Sequence, residues 1–163
     1  MLYLYCKICI YGKGDIVGSK ICSFCGHRLC SKHSRGRIKE IIIGLVLNYG
    51  VDTFYSGGMG DFDSMCESVV RELKKEYTKI KLYLILPYMI NNLNNDPEYY
   101  KYNYDDVIIP DMGDVHYKRA IPERNKWIVD NSDYIICLIN RNYGGAYTTY
   151  KYAKNSDVTV IDV

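Results

Sequence analysis

Thr53-Phe54-Tyr55-Ser56-Gly57-Gly58-Met59-Gly60-Asp61-Phe62-Asp63 is a β-type run that halts on three clustered glycines and passes straight into an amphipathic pattern. Phe62, Met65, Cys66, Val69, Val70 and Leu73 recur at helical spacing. Glu67, Arg71, Glu72, Lys74 and Lys75 take the wet face, so a helix is expected from about Gly60 to Tyr77. A strand that feeds a glycine turn at a helix start is how α/β proteins bring backbone amides up to a nucleotide-like ligand. The glycines permit the tight turn and keep side chains out of the ligand's way.

Upstream, Lys20 to Gly26 reads as a strand and Arg35 to Asn48 as a helix, with Ile38, Ile41, Ile42, Leu45 and Val46 at helical spacing and Gly50 as terminator. Downstream, Lys81 to Leu86 is a third strand ended by Pro87, and Val107-Ile108-Ile109 a short extra one. The polar, Tyr/Asn-rich stretch 91–106 between them has no sustained period and is expected to be a long loop or lid. Pro122 suits the first turn of a helix that runs to about Asn131. Tyr134 to Ile139 is apolar on both faces, as a central parallel strand should be, Gly144-Gly145 opens a last helix, and Val158 to Val163 forms a final strand. Alternating strands and helices predict a three-layer α/β/α domain over 20–163, with a mostly parallel sheet of about five to six strands. Residues 1–19 are an extension, either a strand or part of a cysteine cluster.

The 163 residues suit one compact domain, and an apolar and aromatic share of 48% argues against disorder. A formal charge of +2 is small for a general nucleic-acid binder, so nucleic acid is not favoured as a partner and any basic patch must be local. The longest apolar run, Ile41 to Leu47 interrupted by Gly44, is far short of the ~20 residues that span a bilayer, and no signal peptide is evident. The expectation is a cytoplasmic protein with no membrane partner, its seven cysteines reduced or metal-bound.

Three strand ends carry glycine: Gly26, Gly57-Gly58-Gly60 and Gly144-Gly145. In parallel sheets ligands gather at such carboxyl ends. Asp61 and Asp63 complicate a phosphate cradle. Their bland role is to favour the helix dipole by ~0.3–1 kcal/mol; near a ligand they suit ribose hydroxyls better than phosphate. Arg124 lies three and four residues before Trp127 and Ile128, so it points inward if those two pack on the sheet. An inward arginine needs an anionic partner, either phosphate or a neighbouring carboxylate. Gly26-His27-Arg28 places an imidazole and a guanidinium at a strand end, where a histidine more often hydrogen-bonds than catalyses. Ser56 lacks the flanking pattern of a nucleophile elbow. Gly26, His27, Arg28, Ser56, Gly57, Gly58, Met59, Gly60, Asp61, Asp63, Arg124, Gly144 and Gly145 are the candidate ligand-binding residues.

Cys6-x2-Cys9-x12-Cys22-x2-Cys25 has the spacing of a four-thiolate zinc site. Against it, Cys22 and Cys25 fall on the expected first strand, where an odd offset sends side chains to opposite faces. Zinc is an alternative rather than the leading reading, and no cofactor is required.

These segments, with Arg124-Asn125-Lys126-Trp127 and Asn142-Tyr143-Gly144-Gly145-Ala146, resemble the SLOG superfamily, and within it the bacterial and phage YpsA-like branch, over about Lys20 to Val163. The resemblance implies a Rossmann-like fold, a nucleotide-derived ligand and a homodimer. Some members are phosphoribohydrolases that free a base from a nucleoside monophosphate; others sense cyclic ADP-ribose-like signals in antiphage immunity. The enzymes carry Pro-Gly-Gly-x-Gly-Thr-x-x-Glu. Here Ser56 stands for the proline, Asp61 for the threonine and Ser64 for the glutamate, with Asp63 one residue earlier, while Arg124 matches a functional arginine. The resemblance therefore favours a binder of a nucleotide or ADP-ribose-like ligand, as sensor or sequestering protein. An N-glycosidase using Asp63 and Arg124 is the alternative, and a zinc-dependent interaction module the third.

Overall fold

The computed structural model describes residues 18–163. Six strands form one all-parallel sheet: β1 (Lys20–Gly26), β2 (Val51–Ser56), β3 (Lys81–Ile85), β4 (Asp106–Ile108), β5 (Tyr134–Leu138) and β6 (Thr159–Asp162). Their order is β4-β3-β2-β1-β5-β6. The chain winds outward from β1 to β4, then restarts at β5 on the other side of β1. The topological switch point, where such folds bind ligands, therefore lies between β1 and β5.

α1 (Arg35–Tyr49) and α2 (Asp61–Leu73) cover one sheet face through Ile38, Ile42, Leu45, Phe62, Val69 and Val70, packed on Cys22, Phe24 and Phe54. α5 (Tyr117–Asp130) and α6 (Gly145–Lys154) cover the other: Val129 and Ala153 pack with Cys25 and Cys137, and Ile128 packs with Ile21 and Tyr55. This is the expected three-layer Rossmann-like architecture. Both faces of β1 are covered, so Ile21, Cys22, Ser23, Phe24 and Cys25 are all buried. Those faces also separate Cys22 from Cys25 on opposite sides of the sheet. Cys6 and Cys9 lie outside the described residues. Gly50, at φ 71°, closes α1 in the left-handed conformation.

Three expectations need correction. Residues 91–106 are not a long loop: they hold α3 (Asn91–Asn95) and α4 (Pro97–Asn103) and enter β4. Asp96 caps α4 by accepting the Tyr99 N–H at 3.2 Å, Pro97 takes the first turn, and Leu93, Tyr100 and Tyr104 pack on the core. Pro122 does not open α5, which begins five residues earlier, where the His116 ring accepts the Lys118 N–H at 3.3 Å. Only the carbonyl of exposed Lys118 loses its helical partner to the proline. Glu67, assigned to the wet face of α2, is buried, because Ser56 and Tyr104 donate to it at 2.6 and 3.0 Å and Arg71 lies 3.6 Å away. Among the described residues, no helix is long and apolar enough to cross a membrane.

Candidate functional site

A cavity of about 230 Å3 opens at the carboxyl ends of β1 and β5, between α5, α6 and the glycine turn after β2. Gly26, His27, Arg28, Gly57, Met59, Asp63, Arg124, Gly144 and Gly145 all line it, so four separate segments of the sequence converge there. Its apolar floor is Phe24, Cys25, Ile128 and Ile135.

Ser56, Gly58, Gly60 and Asp61 do not line the cavity; they build the turn. The Ser56 hydroxyl donates to Glu67 and accepts the Gly58 N–H at 3.1 Å. Gly60 sits at φ 96°, and a Cβ there would come within 2.6 Å of the Arg28 Cα, so the turn after β2 and the end of β1 are pressed together. The Asp61 N–H seals that approach by donating to the Arg28 carbonyl at 2.7 Å, while the residue itself stays exposed. Ser64, which stands where the enzyme motif keeps glutamate, is also exposed.

Arg124 is 1% exposed, held inward one turn before Ile128, which packs on the sheet, and Trp127, which stacks on Tyr55. Its Nη1 donates to the carbonyls of Ile85 (2.6 Å) and Gly57 (2.8 Å), and its Nη2 to the Met59 sulfur at 3.2 Å. A Cβ on Gly57 would stand 2.8 Å from that Nη1. The glycine is what lets the guanidinium lie under the turn. Burial lowers the Arg124 pKa, against the pull of Asp63 and Tyr88, and its Nε has no hydrogen-bond partner among the described residues.

Asp63 is buried beside it and accepts the Met59 N–H at 2.9 Å. Desolvation pushes its carboxyl up to about 7, the Met59 bond and Arg124 pulling down and Glu67 pushing further up. Near neutral pH this wall of the cavity is therefore only partly negative.

Besides the apolar floor, Ile121, Asn125, Arg141, Ala146 and Thr149 line the cavity without being among the candidate ligand-binding residues, although Asn125 and Ala146 lie in the segments that carry the family resemblance. Asn125 and Thr149 tie α5 to α6 through a 3.2 Å hydrogen bond. Arg141 is exposed at the rim, its guanidinium 5.0 Å from the Tyr143 ring centre. It is the basic residue in the turn between β5 and a glycine pair, which is the signal that could have found it. Among the described residues no group of three or more His, Cys, Asp or Glu is placed to hold a metal ion.

No curated protein matches the sequence. Among solved structures, DNA processing protein A (DprA) from Streptococcus pneumoniae superposes with a TM-score of 0.64 at 16% identity, over 88% of this chain and 50% of that one. DNA processing protein A from Helicobacter pylori, described with a single-stranded DNA binding mode, gives 0.62 at 16% identity, over 88% of this chain and 64% of that one. The chain thus spans between half and two thirds of these neighbours, and the likeness is one of fold. It still overturns the expectation that sets nucleic acid aside as a partner class. A protein with this fold binds single-stranded DNA, and a net charge summed over the chain does not describe the cavity, which Arg28 and Arg141 both line. Residues 34–160 match the YspA SLOG family. That span takes in the turn after β2, Arg124 and the Gly144-Gly145 turn, and the chain belongs to this SLOG family.

Proposed function

We propose that the cavity binds a phosphate-bearing nucleotide ligand. The observation that carries this reading is the charge balance of its wall: Arg28, Arg124 and Arg141 against one carboxylate, Asp63, which burial holds near half-protonated at neutral pH. An anion fits such a wall, and the exposed Gly144-Gly145 turn lets backbone approach it closely. The volume is below the ~300–1,000 Å3 usual for drug-sized ligands, which suits one nucleotide unit with the rest of a longer ligand leaving past the rim. An ADP-ribose-like signal, bound by a sensor or a sequestering protein, meets that description. So does a strand end of DNA, and the Helicobacter pylori neighbour puts single-stranded DNA among the probes.

Denaturing the purified protein and identifying released small molecules by mass spectrometry, followed by titration with AMP, ADP-ribose and a short oligodeoxythymidylate, tests the reading. A released nucleotide, or saturable binding of any probe, is the expected result. An empty protein that binds none of the three refutes it.

One observation favours a second reading, an N-glycosidase. A cavity carboxyl pushed to about 7 is poised for proton transfer at neutral pH. Free base released from nucleoside monophosphates, and abolished by Asp63→Asn, is its required result; no release from any of them retires it.

A further inference from the structure

We propose that Arg141 is the cation that meets the ligand's phosphate at the rim, and that His27 is a positioning residue that aims it; this rests on the phosphate-ligand reading above. His27 is 3% exposed, and both of its ring nitrogens are engaged by Arg141 alone. Nε2 lies 3.2 Å from the Arg141 carbonyl, which can only accept. Nδ1 lies 3.3 Å from the Arg141 Nε, which can only donate. The neutral tautomer protonated on Nε2 is the one form that makes both bonds. A strand-end histidine that reads as a ligand contact is thus occupied in gripping one arginine by backbone and side chain at once.

The grip is on Nε, so both terminal Nη groups stay open. No carboxylate lies within ion-pair distance of Arg141 among the described residues. Arg35, Arg37, Arg71 and Arg119, by contrast, each pair with a glutamate. Arg124 spends its Nη groups on protein carbonyls and a sulfur. The Tyr143 ring further restricts the Arg141 plane. A pre-aimed planar fork, open on its outer edge beside the amino terminus of α6, matches a phosphate monoester or diester.

The test is titration of wild type, Arg141→Gln, His27→Leu, His27→Gln and the double variant His27→Leu/Arg141→Gln with ADP-ribose and with short oligodeoxythymidylate, thermal midpoints being recorded alongside. Arg141→Gln should weaken whichever probe binds by about tenfold or more. With the single-stranded oligonucleotide it should also reduce the slope of log affinity against log salt by about 0.7. His27→Leu should weaken binding by a similar factor but add almost nothing in the Arg141→Gln background, because it acts through that side chain. His27→Gln, whose amide offers both an N–H donor and a carbonyl acceptor, should restore most of the affinity. Binding that stays within twofold in Arg141→Gln overturns the proposal while leaving the phosphate-ligand reading intact. Additive losses in the double variant overturn the positioning role of His27. Wild type that binds neither probe overturns the underlying reading and this proposal with it.

Discussion

Two glycine-bearing turns face each other across the cavity, and their glycines are spent differently. After β2, a Cβ on Gly57, Gly58 or Gly60 would collide at 2.8, 2.7 and 2.6 Å with Arg124, Leu84 and Arg28. After β5, a Cβ on Gly144 or Gly145 would meet nothing within 4 Å. The first turn is glycine-rich because protein packs against it. The second, which lines the same cavity, has nothing packed against the Cβ positions of its glycines. The same division separates the arginines: Arg124 is consumed under the first turn, and Arg141 is presented beside the second. A glycine cluster in a sequence therefore marks close approach without saying whether a ligand or a side chain approaches.

The strongest way to break this contrast is through Asp63, which accepts the Met59 N–H within the first turn. Its folded pKa of about 7 lies above the ~3.9 of an unfolded aspartate. Between those values the folded state holds a proton that the unfolded state has lost. Stability should therefore fall from about pH 4 to about pH 7 and then level off, by up to ~1.4 kcal/mol per pH unit. Asp63→Asn keeps an oxygen for the Met59 N–H and removes the titration, so its urea midpoint should vary less over that window and exceed wild type at pH 8. Parallel curves for the two proteins would mean that Asp63 is hydrated, and that the first turn is open after all.

Arg124→Met comes next. It preserves much of the apolar stem but leaves the Ile85 and Gly57 carbonyls without their charged donor, a loss of about 3 kcal/mol at roughly 1–3 kcal/mol per orphaned group. The outcome that reverses the assignment is a protein nearly as stable as wild type that no longer binds the probe that wild type binds, since Arg124 would then belong to the ligand rather than to the turn. Gly57→Ala should cost about 2 kcal/mol, within the range for overpacking, because its Cβ enters the space of the same guanidinium. A cost below about 0.5 kcal/mol would show that the arginine moves aside freely.

The sequence made the alternation of elements legible because β5 is a short run apolar on both faces while α2 carries a strong helical period. Arg124 could be placed inward from its spacing to Trp127 and Ile128 alone. What stayed hidden depends on partners far away in the chain. Glu67 looks solvent-facing until Ser56 and Tyr104, 11 and 37 residues distant, bury it with hydrogen bonds. The α3–α4 segment has asparagines and tyrosines in place of an apolar stripe, although Asp96-Pro97-Glu98 is a legible helix start. The grip of His27 on Arg141 spans 114 residues and exists only because β1 and β5 are neighbours in the sheet. Local pattern places residues on elements; the sheet order decides which of them meet.

Gly145→Ala is the smallest perturbation of the fold and the most direct probe of the second turn. Gly145 is the first residue of α6, its φ is not positive, and its Cβ would project into open space. Alanine is the better helix former, so stability should change by no more than ~0.5 kcal/mol or rise slightly. A ligand that relies on close backbone approach would meet the new methyl, and affinity for whichever probe binds wild type should drop about tenfold, the scale of ~1.4 kcal/mol. The pairing of those two readouts separates the turns. Gly57→Ala should lose stability first, with binding following the loss of folded protein, whereas Gly145→Ala should lose binding with its melting temperature intact. If Gly145→Ala binds like wild type, the open space beside the second turn is solvent, and the ligand sits against Arg28 and the first turn instead.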